Sequence, residues 1–290
     1  MIKVTAPTRI DISAGWSDAD PFRHEFGGAI LNGAINLRVS GSLEKGKLIT
    51  DLEKVPANSG LGTSGALRTV YLLVSNPSLI ENKMELLKRV NILENSIIGQ
   101  RAGFQDQAAA IYGGVNFWEF GRDGKIKRVE IPKKSVKHLH DRIVLVFTGS
   151  RHESSSVHEE VFRPNNFMKK IEVINKIKLL AEKMPENIEN EHIMGKLIFD
   201  TWELQKELHS SIETDNMRKI QKIADGLYLG ARATGAGGGG CMIFYTHDKK
   251  EKQKLIAKFR NGLRGIDGAK IIPFEFDFNG ARIEKKDKLK

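Results

Sequence analysis

The chain has 290 residues, 40% of them apolar and 28% charged, with a single cysteine, Cys241. That is enough apolar chain for one large domain or two modest ones without staples, and one thiol excludes an intrachain disulfide. The 46 Lys and Arg exceed the 36 Asp and Glu to give a net charge of +10, but the basic residues are spread along the chain and no RNA-recognition motif, zinc-ligand spacing or basic zipper accompanies them, so nucleic acid is not the expected partner.

In chain order, MIKVTAPTRID lacks the apolar stretch of a signal peptide, and no apolar run reaches the length of a membrane span. A cytoplasmic protein without membrane association is expected. IKVTAP and TRIDIS read as strands, followed by a turn-like GWSDADP. AILNGAINLRVSGSL alternates as a strand pair does. After a Gly-rich loop, ALRTVYLLVS reads as a helix, and a second helix over ENKMELLKRVNILENSII places Met84, Leu87, Val90 and Leu93 on one stripe. AGFQDQAAAIYGGVNFWEF reads as a short helix, a double-glycine turn and a strand, and DRIVLVFTGS as a buried strand. Past residue 148 the texture turns helical. Phe167, Ile171, Ile174 and Ile177 recur at helical spacing, and IMGKLIFDTWELQKELHSSI and DNMRKIQKIADGLYLG follow as helices. A second glycine block, GARATGAGGGGCMIFYT, runs into a strand, then come a last helix, KQKLIAKFRNGL, and a last strand, AKIIPFEFDF. The fold class is α+β in two parts, 1–147 and 148–290.

The first glycine block, PANSGLGTSGAL over residues 56–67, lacks the lysine of a Walker A loop and the spacing of a Rossmann fingerprint. Gly60, Gly62 and Gly65 let backbone N–H groups converge on an anion, and a helix starting near Thr63 would direct its positive end to the same place. Thr63 and Ser64 put hydroxyls in the first turn, one suited to capping the helix and one to a Mg²⁺ ion. A plain loop with a helix cap reads equally well from composition. In the second block the core is Gly235 and Gly237 to Gly240, where a close approach of backbone or ligand explains the glycines better than a linker does. Two such blocks in one chain favour phosphate binding.

These residues resemble a known family. PANSGLGTSGA is similar to the P-x3-G-L-G-S-S-A motif of the GHMP kinases, the superfamily of galactokinase, homoserine kinase, mevalonate kinase and phosphomevalonate kinase. GARATGAGGGGCMIFY resembles that family's C-terminal glycine motif, and APTRIDISAGWSDADPFRHEFGGAILNGAI its N-terminal one. GFQDQAAAIYGGVN and FTGSRHESSSV are similar to elements of the L-fucokinase and D-glycero-D-manno-heptose 7-phosphate kinase branch. Five motifs in order span nearly the whole chain. The resemblance implies a ribosomal protein S5 domain 2-like N-terminal lobe that binds ATP, a ferredoxin-like C-terminal lobe, an active site between them, and Mg²⁺-dependent transfer of the ATP γ-phosphoryl group to a small-molecule hydroxyl.

Carried over residue by residue, the resemblance makes Asp106 the catalytic carboxylate and Arg9 a partner for charge on the transferring phosphoryl group, or else a structural ion pair. The nucleotide loop runs through Pro56, Asn58, Ser59, Gly60, Leu61, Gly62, Thr63, Ser64 and Gly65. Ser64 is the expected hydroxyl ligand of Mg²⁺, with Glu94 as carboxylate partner or a solvated helix residue. Asp18 in GWSD matches a sugar-binding aspartate, with an Asx-turn as the alternative. Arg151 would grip a substrate phosphate, and Gly235, Gly237 and Gly238 lie on the substrate side. Trp16 either stacks on a sugar or fills the turn. His24, His152 and His158 have no metal-binding spacing and are read as exposed or satisfied.

The sequence departs from the family where typical members carry several tens of residues more before the glycine loop, forming one wall of the adenine pocket. Here DLEKV is almost all that remains. Thr63 replaces the first serine of the motif, and Gly65 stands where it has alanine. Three functions are compared: a kinase for a sugar or sugar phosphate, a mevalonate or phosphomevalonate type kinase of isoprenoid synthesis, and a non-catalytic binding protein that keeps the fold. The expected partner is a small molecule, phosphorylated acceptors included, with a homodimer as the allowed assembly.

Overall fold

The computed structural model describes residues 2–52, 55–98, 102–150 and 154–285. In chain order the elements are β1 (Ile2–Asp11), α1 (Phe22–Phe26), β2 (Gly28–Glu44), β3 (Lys47–Asp51), α2 (Thr63–Ser75), α3 (Lys83–Ile92), α4 (Gln105–Tyr112), β4 (Val115–Phe120), β5 (Ile126–Glu130), α5 (Lys133–His140), β6 (Ile143–Thr148), α6 (Ser154–Val161), α7 (Pro164–Asn187), α8 (Glu191–Leu208), α9 (Asp215–Ala224), β7 (Gly230–Ala233), β8 (Cys241–Tyr245), α10 (Lys249–Gly262), β9 (Ala269–Ile271) and β10 (Arg282–Lys285).

Two antiparallel sheets organise the chain. The first runs β10-β1-β2-β4-β5, with β3 also on β2, and the second runs β7-β8-β6-β9. Sheet membership therefore changes between β5 and β6, and the last strand of the chain returns to pair with the first, Ile2 opposite Lys285. This return was not anticipated, because a short RIEK segment among charged residues carries no strand signal of its own; its partner across the sheet supplies it.

Several elements differ from the reading by periodicity. IKVTAP and TRIDIS form one strand, whose register shifts between Pro7 and Thr8. The expected strand pair over AILNGAINLRVSGSL is a single 17-residue strand, β2. Its first eight residues are buried on both faces and only its outer half alternates, so Gly33 marks a close approach by the Phe276 ring rather than a turn. The segment AKIIPFEFDF leaves the sheet after Ile271 and makes only an isolated bridge from Phe276 to Ile35. The ATGAGGGGC block joins two paired strands, β7 and β8, and not a helix to a strand.

The apolar residues form three clusters. One packs α2, α3 and α4 on the first sheet through Val70, Leu73, Leu87 and Val90 against Val4, Ile30 and Trp118. Another packs α7 to α10 on the second sheet, with Phe167, Ile174 and Ile177 on the α7 stripe. The third joins the sheets, setting Ile10, Leu31 and Ile35 against Leu145, Ile243 and the α7 residues Ala181 and Met184. Because that junction is continuous apolar core, the groups facing the cleft between the lobes are held by packing rather than by loops alone.

Candidate active site

The first glycine block ends at the start of α2. Gly60 and Gly62 both adopt φ of 70°, a left-handed conformation that suits glycine. Gly62 occupies the N-cap and no side chain caps the helix. Neither Thr63 nor Ser64 therefore takes the capping role, and the first-turn N–H groups of a 13-residue helix face the cavity with the positive end of its dipole.

The second glycine block backs the first. Cys241 donates its N–H to the Ser59 carbonyl at 2.8 Å, and Thr234 Oγ1 donates to the Gly60 carbonyl at 3.0 Å. A Cβ on Gly240 would lie 2.6 Å from the Ser59 oxygen, and one on Gly235 3.0 Å from that of Gly60. Glycine is required there because the backbone of the phosphate-type loop occupies the space. Gly237 and Gly238 sit behind, against Ile212.

Asp106 stands at the first turn of α4, packed against Gly62 and Gly65 at the end of the glycine loop. Arg9 from β1 donates through Nε to its Oδ1 at 2.8 Å and places Nη2 at 2.7 Å from the same oxygen. The remaining Arg9 nitrogen, Nη1, donates to the Gly60 carbonyl and to Thr234 Oγ1. The guanidinium thus binds three elements at once: the carboxylate, the glycine loop and the second glycine block. Burial would push the Arg9 pKa down, but Asp106 and Asp11 more than reverse this and hold it raised.

A cavity of about 470 Å³ is lined by Arg9, Asp18, Asn58 to Ser64, Arg68, Glu94, Gln105, Asp106, His158 and Gly235, among others. Pro56, Gly65, Gly237 and Gly238 do not line it. Gly65 lies under Asp106, where a Cβ would meet the Asp106 Cβ at 2.7 Å; glycine in place of the motif's alanine lets α4 sit this close to α2. Arg151 and His152 lie outside the described residues. His24 is exposed on α1.

Two buried carboxyls face this space. Asp18 Oδ2 accepts the Gln105 N–H at 2.9 Å, while its Oδ1 is buried without a partner among the described residues. Burial lifts the Asp18 pKa to about 6, with the Asp106 charge adding to the rise and hydrogen bonds opposing it. Glu94 lies in a single π-helical turn, Leu93–Ile97, that interrupts the expected helix. The wider turn sets Glu94 inward, 3% exposed, as such turns often do at functional sites. Its Oε1 accepts from Ser64 Oγ at 3.3 Å and lies 3.3 Å from Arg68, and its Oε2 has no partner among the described residues. Burial outweighs Arg68 and lifts the Glu94 pKa to about 7.

Trp16 is fully buried and stacks on His158, centroids 4.4 Å apart. It fills the turn, and His158 presents the outer face of the pair to the cavity. Three participants were not read from sequence. Gln105, beside Asp106, lines the cavity with a buried and unpartnered Oε1. Asp11 and Arg232, both fully buried, form an ion pair at 3.2 Å that joins β1 to β7, and Asp11 also accepts the Gly235 N–H at 2.9 Å. Burial would raise the Asp11 pKa, but Arg232, Arg9 and Gly235 together hold it lowered. Position next to Asp106 was the available signal for Gln105, whereas a pair separated by 221 residues leaves none.

The arrangement suits a nucleoside triphosphate and a divalent cation. Left-handed glycines and an uncapped helix start supply anion-binding N–H groups. Ser64 Oγ and Glu94 Oε2 would offer hard oxygen donors to a cation such as Mg²⁺.

Such a cleft, with a carboxylate set beside an anion-binding helix start, defines a phosphotransferase of the two-lobed kind. The family profiles described as GHMP kinases N terminal domain and GHMP kinases C terminal match residues 28–114 and 175–265, and the chain belongs to the GHMP kinases. It is 26% identical to the D-glycero-alpha-D-manno-heptose 7-phosphate kinase of Campylobacter jejuni, over 89% of this chain and 93% of that one. It is 24% identical to the bifunctional fucokinase/GDP-fucose pyrophosphorylase of Arabidopsis thaliana, over 87% of this chain and 30% of that one. Among solved structures, the D-glycero-D-manno-heptose 1-phosphate kinase of Bacteroides thetaiotaomicron superposes with a TM-score of 0.72 at 19% identity, covering 99% of this chain and 100% of that one. At that identity the likeness concerns the fold. Among the described residues no helix is long and apolar enough to cross a membrane.

Proposed function

We propose that the protein is an ATP-dependent kinase that phosphorylates a hydroxyl of a sugar or sugar phosphate. The observation that carries this reading is the Arg9–Asp106 pair seated against the glycine loop and the start of α2, all lining one cavity. Heptose phosphate kinase and fucokinase relatives support the sugar class. So do Asp18 Oδ1 and Gln105 Oε1, two buried acceptors without partners, since a polyhydroxylated substrate offers the donors they lack.

In this reading ATP supplies the transferred group and Mg²⁺ neutralises its developing charge. The residues of the chain do the positioning. Backbone N–H groups at Gly62 to Ser64 hold phosphate oxygens, while Ser64 and Glu94 hold the ion. Asp18 and Gln105 orient the acceptor so that one hydroxyl donates to Asp106, which takes its proton as the bond to phosphorus forms and the bond from that phosphorus to the departing ADP oxygen breaks. Arg9, with its nitrogens already engaged, fixes the Asp106 rotamer. A phosphate on the acceptor is assigned to Arg151. Cytoplasmic location and a homodimer are proposed with this reading on the family resemblance alone.

A second reading changes the acceptor to mevalonate or its phosphates, and mevalonate kinases among the relatives favour it, one from Methanocaldococcus jannaschii at 29% identity over 70% of this chain. The test is ADP release from Mg-ATP with free sugars, hexose and heptose phosphates, mevalonate and its phosphates, alongside Asp106→Asn. Turnover on a sugar or sugar phosphate, reduced about 10²–10⁴-fold in the variant, is the expected outcome. Turnover confined to mevalonate compounds selects the second reading. Silence on every acceptor, with no ATP binding by calorimetry, overturns both and leaves a binding protein.

A further inference from the structure

On the far side of the C-terminal lobe, three side chains from two separate segments turn toward one another. Glu191 and His192 open α8, after the Asn190 N-cap, and His247 follows β8. None of the three lines the cavity described above. Glu191 Oε1 lies 3.7 Å from His247 Nε2 and 4.0 Å from His192 Nε2. One ligand atom from each of the three lies within 4.8 Å of the others, and the two imidazoles meet edge to face with centroids 5.0 Å apart.

What distinguishes this cluster from scattered surface charge is the far side of His247. Asp248 caps α10, its Oδ1 accepting the Glu251 N–H at 2.7 Å, and that cap holds its Oδ2 3.6 Å from His247 Nδ1. A carboxylate at Nδ1 favours the tautomer protonated there and leaves the Nε2 lone pair facing Glu191. A carboxylate oxygen and an imidazole nitrogen at this distance favour a cation between them, whether a proton on Nε2 or a metal ion. The neighbouring cation does not fill the gap: Arg142 donates to the backbone carbonyls of His247 and His138. Glu189 is engaged by Lys134 and Ser135. Two buried polar atoms that feel the charge of Glu191, Tyr245 Oη and His138 Nε2, have no hydrogen-bond partner among the described residues.

We propose that Glu191, His192 and His247 form a binding site for a divalent transition-metal ion of the zinc type, with Asp248 orienting His247. Two imidazoles and one carboxylate are a zinc donor set, and ligand distances of about 2.1 Å in a tetrahedron place donors about 3.4 Å apart. Both histidines are exposed, so side-chain rotation closes the remaining distance. The ion ties the start of α8 to the turn between β8 and α10, and this assignment does not depend on the kinase reading.

The experiment is calorimetric titration of the tag-free, chelator-treated full chain with zinc chloride, together with thermal unfolding with and without the ion. One zinc per chain and a raised unfolding midpoint are expected. His192→Ala and His247→Ala, both at exposed positions, should lose the binding heat and the rise in midpoint. Asp248→Asn keeps a capping side chain and should weaken binding about tenfold. A wild-type chain that takes up no zinc overturns the assignment. So do histidine variants that bind zinc as the wild type does.

Discussion

Replacing Gly65 by alanine restores the residue that the family motif carries at this position, and two opposing effects decide its outcome here. Gly65 is in the first turn of α2 with an ordinary helical φ, so alanine gains up to about 1 kcal/mol in helix propensity. Against this, the new Cβ would lie 2.7 Å from Asp106 Cβ, 2.9 Å from Gln107 N and 3.0 Å from Asp106 C. Two of these three atoms belong to the α4 backbone and cannot rotate aside. Ordinary contact of about 3.5–4.0 Å requires α4 to retreat by about 1 Å, an overpacking that costs about 1–3 kcal/mol. The net change is a destabilisation of about 0–3 kcal/mol. Activity should suffer more, because Asp106 moves with α4 away from Arg9 and the acceptor, and a 1 Å displacement of a reacting group costs about 10²-fold. Thermal unfolding and ADP-release kinetics on the same preparation measure both. A variant that melts higher and turns over as fast as the wild type would refute this close seating of α4 against the glycine loop.

Two further outcomes follow from the buried charges. The Asp18 pKa is raised from 3.8 to about 6, so the folded chain retains a proton that the unfolded chain releases. The associated stability is present in full below about 3.8 and is lost as pH rises through about 6. Asp18→Asn should flatten that part of the stability-versus-pH curve in urea unfolding, and an unchanged slope would count against the assignment. With the wild type, kcat/KM should fall below about pH 6, as Asp18 gains a proton and loses acceptor capacity. Arg232→Met leaves the fully buried Asp11 carboxylate with the Gly235 N–H but without its ion-pair partner, and should cost about 3–5 kcal/mol. A loss below about 1 kcal/mol by urea unfolding would show that Asp11 is not held as a charged group.

Much of the site was legible in the chain because its chemistry is local. A glycine-rich loop running into a helix, hydroxyls in the first turn and a carboxylate in a separate short helix are statements about neighbouring residues, and backbone conformation at Gly60 and Gly62 follows from them. The family motifs added which carboxylate to choose. The second glycine block was equally visible, but its purpose was not. Only the folded chain sets Gly235 and Gly240 against the carbonyls of Gly60 and Ser59, so that the block shapes the first loop from behind.

What tertiary structure alone decided are the relations between distant segments. Arg9 and Asp106 are 97 residues apart and meet because α4 packs on the first sheet, whereas Asp11 and Arg232 are 221 apart and meet across the apolar junction between the two sheets. Glu94 was recognisable as a candidate, but its inward direction comes from one turn of π-helix that side-chain periodicity does not specify. Trp16 read as either a sugar platform or a filler until packing placed His158 against its face. The strand β10 has too little apolar character to declare itself, and pairs because β1 offers an open edge at the right place. Composition and spacing determine which groups a segment can present; long-range packing determines which of them meet, because burial and hydrogen bonding favour partners in space without regard to their distance along the chain.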